Sequence, residues 1–572
     1  MHWEYNPLPQ SLIDSKAAQW KKSKLLTTLL LNRGFDNLKQ ADKFISPKIS
    51  DFRDPFKFEK MQKVVDKILE KKEKKEKIFI YGDYDVDGIT AAVFLVKAFK
   101  LIGIDVDYYI PNRMDESYGL DKKTVDFINK ENGKLVITVD TGVNSIEDVK
   151  YAKTLGIDVI VTDHHKCVKD EDDDALLLLN PKLSDTYEFK YLSGAGVALK
   201  VAQGVYSKLN IDTRKLYQYM DIVMIGTVAD VVPMLDENRI IIKKGLQALK
   251  RTKIKGLMYL LKYLKFQKKD INTTDVSYFI SPLINSLGRI GISKMGADFF
   301  LKEDDFEIYN IIEEMKKSNK KRRDLEKMIY DEATHAISKK DKKNLKSIFL
   351  SSEKWHPGVI GVVSSRLSVK YNLPVTLVAF KDGIGKASCR SVKGISVFNI
   401  FQKMGNKLVR FGGHDLAAGF IVTQENLEDV KNIFEESIKN FHAENEKKTL
   451  KIDAEYSLEN IDERIFKVME DIAPYGLDNP HPLFLDTNLT FENIRKFGVD
   501  ERHFNGIIKK NGKIYHMVAF DLGHKINELE AKIQKFDIVY YPEKTIYKGE
   551  EILQIRIKDI KIKDDFYEIF TK

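Results

Sequence analysis

Cysteine is nearly absent from this 572-residue chain: Cys167 and Cys389 are the only two. Two thiols build neither a disulfide framework nor a cysteine zinc site. Long apolar runs are missing as well, and none approaches the roughly 18 residues that a membrane span requires. The opening MHWEYNPLPQSLIDSK lacks the apolar centre of a signal peptide. The expectation is a cytoplasmic protein in a reducing compartment, without a membrane. Neither sign of charge is scarce: 94 Lys and Arg against 85 Asp and Glu leave +9, with a pI of about 8.9. Such mild basicity suits a polyanionic partner. With 43% hydrophobic and 31% charged residues, the composition is that of globular structure rather than disorder. The length allows about three to five domains.

What is present, through the first half, is one repeated unit. Short apolar runs (KIFIYGD, DVDYYIPN, KLVITVD, IDVIVTDHH, DALLLLNPK) alternate with amphipathic helical stretches that close on Gly (ITAAVFLVKAFKLIG, KKTVDFINKENG, NSIEDVKYAKTLG). This is the βαβ pattern of a parallel sheet covered on both faces. The last of these helices carries its own start signal, with Asn144 or Ser145 as N-cap and Glu147 and Asp148 in the first turn.

Acids collect where the strands end. Asp83, Asp85 and Asp87 of GDYDVDG follow the first run, Asp140 closes KLVITVD, and Asp163, His164 and His165 close DVIVTDHH. The first group begins like an EF-hand loop. The twelfth position from Asp83 is Phe94, however, where a Glu is needed, and a strand rather than a helix leads in. Capping the next helix accounts for one or two of these Asp side chains; the third needs another reason, most simply a cation. In open α/β sheets ligands bind at the C-terminal strand ends. Carboxylates converging there repel one another unless a cation sits among them. Carboxylate oxygens with one or two histidines suit Mg²⁺ or Mn²⁺, with imidazole tilting toward Mn²⁺, and zinc is disfavoured where carboxylates dominate. Four or more acids exceed what one ion needs, so two ions and in-line displacement at phosphorus are the natural solution. Asp230, in DIVMIGTVADVVP, is a further acid at a helix end.

GDYDVDG, the Asp of VITVD, the DHH triplet and the Asp of ADVVP resemble, in order, the four motifs of the DHH phosphoesterase superfamily. More narrowly, the chain resembles the RecJ family of bacterial single-strand-specific exonucleases. SPLINSLGRIG is similar to that family's Pro-x-x-Asn-x-x-Gly-Arg segment. WHPGVIGVVSSRLSVKYNLPV and GGHDLAAGF are similar to its DHHA1 domain, and IDAEYSLENID with IAPYGLDNPHPLF to the lead into its C-terminal OB domain. The resemblance implies that Asp85, Asp87, Asp140, His164 and Asp230 hold two Mn²⁺ or Mg²⁺ ions, with Asp140 as bridge. It implies catalytic roles for Asp83, Asp140, His164 and His165, Asp83 orienting or ligating and His165 facing the scissile phosphate. Arg113, Ser388 and Arg390 would form a pocket for a 5′-terminal phosphate, while Arg289 and His414 would contact phosphates near the metals. Tyr81 stands where some relatives have His, a departure expected to alter tuning near the first ion. The implied activity is 5′→3′ hydrolysis of single-stranded DNA to nucleoside 5′-monophosphates, in repair and recombination. The implied partners are single-stranded DNA, a single-strand-binding protein and a RecQ-type helicase.

The expected organisation is an N-terminal segment (1–50), an α/β DHH domain (51–245), a helical connector (246–345), a smaller α/β DHHA1 domain (346–447) and an OB-like β-barrel (448–572). The connector's EDDFEIYNIIEEMKKSNKKRRDLEKMIYDEATHAISKK reads as one long helix whose KKSNKKRR is a solvated face. HFNGIIKK, KIYHMVAFD, FDIVYYPEKTIYKG and ILQIRIKDIKIK suit a small barrel of the kind that binds single strands, though no stacking residue stands out. The acidic Lys169–Asp174 reads as a solvated loop, and Cys167 has no assigned role. Two other readings stay open. One is a DHH phosphodiesterase acting on oligoribonucleotides or cyclic dinucleotides, against which the added C-terminal domain argues. The other is a non-catalytic single-strand-binding factor, which would require lost ligands where every motif acid is intact.

Overall fold

The computed structural model describes residues 1–112, 119–166, 177–267, 270–339, 345–439, 449–498, 501–526, 535–547 and 550–562. Arg113, Cys167 and the acidic stretch 169–174 lie outside them. The chain divides into two units, Phe52–Ala443 and Met1–Asp51 with Glu444–Lys572.

The larger unit is built on five parallel strands in the order Val106–Tyr109, Lys77–Gly82, Gly133–Val139, Asp158–Thr162, Leu177–Leu179. Their side chains alternate between two cores, as the strand period of two requires. Ile78, Ile80, Leu135, Ile137 and Ile160 join one cluster with the helices Val86–Lys100, Gly194–Lys208 and Met220–Ala229. Phe79, Tyr81, Val136, Val159 and Val161 join another with the helices Lys122–Lys130 and Ile146–Thr154. Both faces are covered, which is why the strands read as almost continuous apolar runs. The strand order reverses between Lys77–Gly82 and Gly133–Val139, the switch point at which such sheets bind ligands. Gly82 lies opposite Val139, and Val139 opposite Thr162. The next residues, Asp83, Asp140 and Asp163, therefore leave the sheet side by side.

Much of the stretch expected as a connector is core. Leu257, Leu260, Ile284, Leu287, Phe299 and Phe300 belong to the same cluster as the parallel sheet. The 34-residue helix Asp305–Ser338 puts Ile308, Ile312 and Met315 into that cluster and Ile329, Ala333 and Ile337 into the next. Its KKSNKKRR stretch is partly paired rather than wholly solvated, with Lys316 on Glu313 and Arg322 on Glu326. The second sheet runs Arg410–His414, Ala417–Thr423, Ile384–Arg390, Val375–Lys381, Ile348–Ser352, antiparallel except for the last pair. Arg390 and His414 both lie opposite Ala417, on either side of it.

In the smaller unit the strands Phe484–Phe497, His503–Lys510, Lys513–Ala519, Glu550–Ile562 and Phe536–Tyr547 pair in that order, and the last returns to the first. This is a closed five-stranded OB-like barrel. Its first strand was illegible in the sequence, because register shifts between Asp486 and Leu489 and between Glu492 and Arg495 break the alternation. The strand His2–Tyr5 pairs in parallel with Thr449–Ile452, and the Trp3 indole N–H donates to Asp559 at 2.9 Å. Among the described residues no helix is long and apolar enough to cross a membrane.

Candidate metal centre and phosphate contacts

The three acids of GDYDVDG are held in three different ways. Asp85 caps the helix Val86–Lys100, its Oδ1 accepting the N–H groups of Asp87 (2.9 Å) and Gly88 (3.2 Å). Capping therefore does account for one of them. Asp87 is claimed by another helix, whose first-turn Gly194 and Ala195 N–H groups donate to it at 2.6 and 3.0 Å, where a helix start favours negative charge. Asp83 is buried, and a Cβ at Gly88 would fall 2.6 Å from its Cα. Asp140 adopts a left-handed backbone (φ +61°), and Gly194 packs so tightly on its side chain that no Cβ fits between them. Asp163 faces inward and accepts the N–H groups of Val143 (3.0 Å), His164 (2.7 Å) and His165 (3.0 Å). It also meets His165 Nδ1 at 2.7 Å. Asp230 terminates the helix Met220–Ala229.

These side chains form three overlapping groups: Asp83, Asp85 and Asp140; Asp87, His164 and Asp230; Asp140, His164 and His165. Within each group the potential ligand atoms lie within 4.8 Å of one another. His164 Nε2 is 2.9 Å from Asp140 Oδ1, 3.5 Å from Asp230 Oδ2 and 4.0 Å from Asp87 Oδ2. Both Asp140 Oδ1 and His164 Nε2 are buried without a hydrogen-bond partner. Among the described residues no Lys or Arg forms an ion pair with Asp87, Asp140 or Asp230.

The electrostatics follow from that crowding. Burial, and then the charges of neighbouring acids led by Asp87, drive the Asp140 and Asp230 carboxyls well above their ordinary range. Burial and Asp85 push Asp87 up to about 7. Burial and the charge on His165 hold His164 far below the ordinary imidazole value, which leaves it neutral, the form that binds metals. For His165 burial opposes the charge, but the bond to Asp163 outweighs it and lifts the ring to about 9. The residues present fit a divalent cation: it would end the repulsion among the acids and occupy the two orphaned atoms. Oxygen donors with one neutral imidazole are the chemistry of Mn²⁺ or Mg²⁺.

Tyr81, where an effect on metal tuning is expected from sequence, is buried on the other face of the sheet, its hydroxyl donating to Gly119 O at 2.8 Å. The second sheet does reach the cluster. His414 stacks on His165 with centroids 5.4 Å apart and planes 7° from parallel. Beside that stack Lys166 pairs with Asp415 at 2.7 Å. Arg390 Nη1 donates to Ser388 Oγ at 3.3 Å. A Cβ on Gly361, in the first turn of the helix Ile360–Tyr371, would lie 2.9 Å from Ser388 Oγ and 3.6 Å from Arg390 Nη2. Hydroxyl, guanidinium and helix start thus converge, the ingredients of an anion site. Arg289, on the helix Ser281–Ile290, donates to Gly358 O at 3.0 Å, in the segment leading into the helix Ile360–Tyr371. Asn285, on the helix Ser281–Ile290, accepts the N–H of Val86 at 3.2 Å. The sequence places Asp163 among the strand-end acids but gives it no role of its own, and the structure shows it holding His165. Sequence reasoning passed over Asn180, whose amide donates to His165 O at 2.8 Å, and over the Gly194–Ala195 turn. The latter's only local signal is a pair of glycines after Ser193.

Residues 77–227 match the family described as DHH family, N-terminal domain, residues 344–440 the DHHA1 domain, and residues 452–559 the RecJ OB domain. The chain is 32% identical over 568 residues to the single-stranded-DNA-specific exonuclease RecJ of Bacillus subtilis, covering 99% of this chain and 71% of that protein. It is 27% identical to the protein of the same name from Haemophilus influenzae, covering 95% and 96%. The crystal structure of RecJ in complex with Mn²⁺ from Thermus thermophilus superposes with a TM-score of 0.83 at 24% identity, over 98% of this chain and 80% of that one, a likeness of fold. A manganese-bound exonuclease RecJ aligns at 29% identity with a TM-score of 0.59, over 67% and 96%. With the three domains in the same order and near-complete coverage at that identity, the chain belongs to the RecJ family.

Proposed function

We propose that the chain is a metal-dependent exonuclease that releases nucleoside 5′-monophosphates from the 5′ end of single-stranded DNA. One observation carries the reading: the unpartnered, buried Oδ1 of Asp140 faces the equally unpartnered Nε2 of His164 at the switch point of the sheet. Asp85, Asp87, Asp140, His164 and Asp230 would hold two Mn²⁺ or Mg²⁺ ions, with Asp140 shared between them and Asp83 orienting or ligating. Such ions, when bound, supply a water of lowered pKa and neutralise charge on the phosphate oxygens. His165, kept charged by Asp163, directs a donor at the scissile phosphate, and the stacked His414 limits how its ring can turn. Arg289 and His414 add phosphate contacts beside the cluster.

Direction requires a feature that recognises one end of the strand. A terminal phosphate carries about one more negative charge than an internal one, which an arginine and a hydroxyl favour. Ser388 and Arg390, with Arg113, take that role and block the strand beyond its first nucleotide. Labour is divided among residues 51–245 for chemistry, 246–345 for connection and core, 346–447 for the strand end and 448–572 for the strand itself. The setting is the cytoplasm, in repair and recombination, with a single-strand-binding protein and a RecQ-type helicase as partners.

The test is Mn²⁺-dependent degradation of a long single strand labelled at either end, beside the dinucleotide pA–pA. Early release of the 5′ label as a mononucleotide, with the long strand preferred, supports the reading. Preference for pA–pA, or early release of the 3′ label, overturns it.

A further inference from the structure

Val231 directly follows Asp230, and its backbone is left-handed, with φ +59°. For a β-branched residue that region is a steric outlier. The side chain does nothing to offset the strain, since it is 62% exposed. Glycine would adopt this backbone freely. Strain of this kind persists only where the surroundings over-determine the chain, and here both flanks are fixed.

Upstream, the Asp230 N–H donates to Gly226 O at 3.0 Å and the Val231 N–H to Val228 O at 3.4 Å. Gly226 lets that helix approach so closely that a Cβ there would fall 2.6 Å from Asp87 Oδ1. Downstream, Asp236 is also left-handed (φ +48°) and is gripped by both terminal nitrogens of Arg53. The fully buried Glu237 accepts Lys200 Nζ (2.8 Å), Tyr187 Oη (2.6 Å) and the Arg53 N–H (3.0 Å). Asn238 Nδ2 donates to Pro233 O at 3.1 Å. Lys200 is buried as well, and parting such a pair strands a charge in the core. The connector after Asp230 is thus tied at both ends, and the turn at Val231 sets the direction in which the Asp230 carboxylate leaves its helix.

We propose that Val231 is a positioning residue: the tied flanks hold the turn left-handed, and within that region the β-branched side chain leaves only a narrow range of backbone angles, which fixes Asp230 against His164 and Asp87. The inference rests on the reading of Asp230 as a metal ligand. Glycine at this position relieves the strain and widens the range of backbone angles that the tied flanks still allow, so the carboxylate loses part of its aim.

The experiment uses the full chain with Mn²⁺ alone as the probe, in calorimetric titration and thermal melting. Val231→Gly is expected to raise the metal-free Tm by about 2 °C. It is also expected to weaken Mn²⁺ binding at one site about tenfold, with kcat restored at saturating Mn²⁺. A purely structural role would move Tm and metal binding downward together. Asp230→Asn is the control and is expected to lose one ion. If Asp230→Asn still binds two ions like the unaltered chain, the metal reading of Asp230 fails and takes the inference with it. If Asp230→Asn loses an ion while Val231→Gly binds Mn²⁺ unchanged, the positioning role alone is overturned. A lowered Tm for Val231→Gly overturns it too, because the valine would then be stabilising rather than strained.

Discussion

In the barrel, Asp486 is buried against Lys510 Nζ (2.5 Å) and the Leu458 N–H (2.8 Å), and Asp559 against Lys525 Nζ (2.6 Å) and the Trp3 indole (2.9 Å). At the edge of the parallel sheet, Asp87 and Asp140 are buried, and Asp230 half-buried, against one another and a neutral His164. An ionised carboxylate is costly to bury unless it is paired. The barrel acids meet that requirement with lysines supplied by the chain, and for Asp559 the balance of burial against Lys525 leaves its carboxyl below the usual range. The sheet-edge acids do not meet it, and their carboxyls are driven upward. The difference separates acids that hold a fold together from acids arranged for an ion the chain does not itself provide.

The largest effect expected from this contrast is in paired substitutions. Asp140→Ala should lower Mn²⁺-supported turnover by about a thousandfold or more and leave the fold intact, since it removes repulsion. Asp486→Ala should do the reverse, destabilising the barrel by about 3 kcal/mol through the stranded Lys510. Denaturant melts and turnover measured on both variants check this; near-native turnover of Asp140→Ala would end the metal assignment.

The next prediction divides the two histidines. His165→Ala should reduce kcat about a hundredfold while Mn²⁺ stoichiometry holds, whereas His164→Ala should lose bound metal. Equal metal loss in both variants, measured by equilibrium dialysis, would erase the distinction between ligand and phosphate-facing group. A smaller effect concerns the strand end. Arg390→Ala should cost about tenfold more on 5′-phosphorylated than on 5′-hydroxyl strands at fixed salt. Equal losses would make Arg390 a general backbone contact.

The smallest is a difference in pH dependence, read by peptide-resolved hydrogen exchange on metal-free protein. Asp559 has a lowered folded pKa, so its stabilisation is present above the ordinary carboxylate value of 3.8 and is lost as pH falls through its folded value. Asp87 has a raised one, about 7. Its contribution is therefore full below 3.8 and is lost as pH rises toward 7, with Mn²⁺ reversing the loss. The same pH response in both regions would break the comparison.

Most of the catalytic lobe could be read from the chain because its signals are local. Strand period, helix caps and the positions of Asp83, Asp140 and Asp163 after successive apolar runs all lie within short windows. The long helix Asp305–Ser338 and the later barrel strands were legible for the same reason. The strand Phe484–Phe497 was not, because its bulges spoil the alternation on which strand reading depends. The core helices between 246 and 301 looked like a connector because amphipathic spacing shows that a face is buried, not against what.

By itself, then, the sequence determined that acids and histidines gather at the C-terminal edge of one parallel sheet, since βαβ units repeat a single direction and each strand ends on its own residues. Only tertiary structure decided that Asp87 meets the Gly194 helix start, that Asp163 holds His165, and that His414 lies on His165. Only tertiary structure likewise decided that Arg289 reaches Gly358 and that the first strand of the chain joins Thr449–Ile452. Each of these contacts joins side chains and backbone across the folded chain, where geometry depends on how whole elements pack rather than on the residues adjacent in sequence.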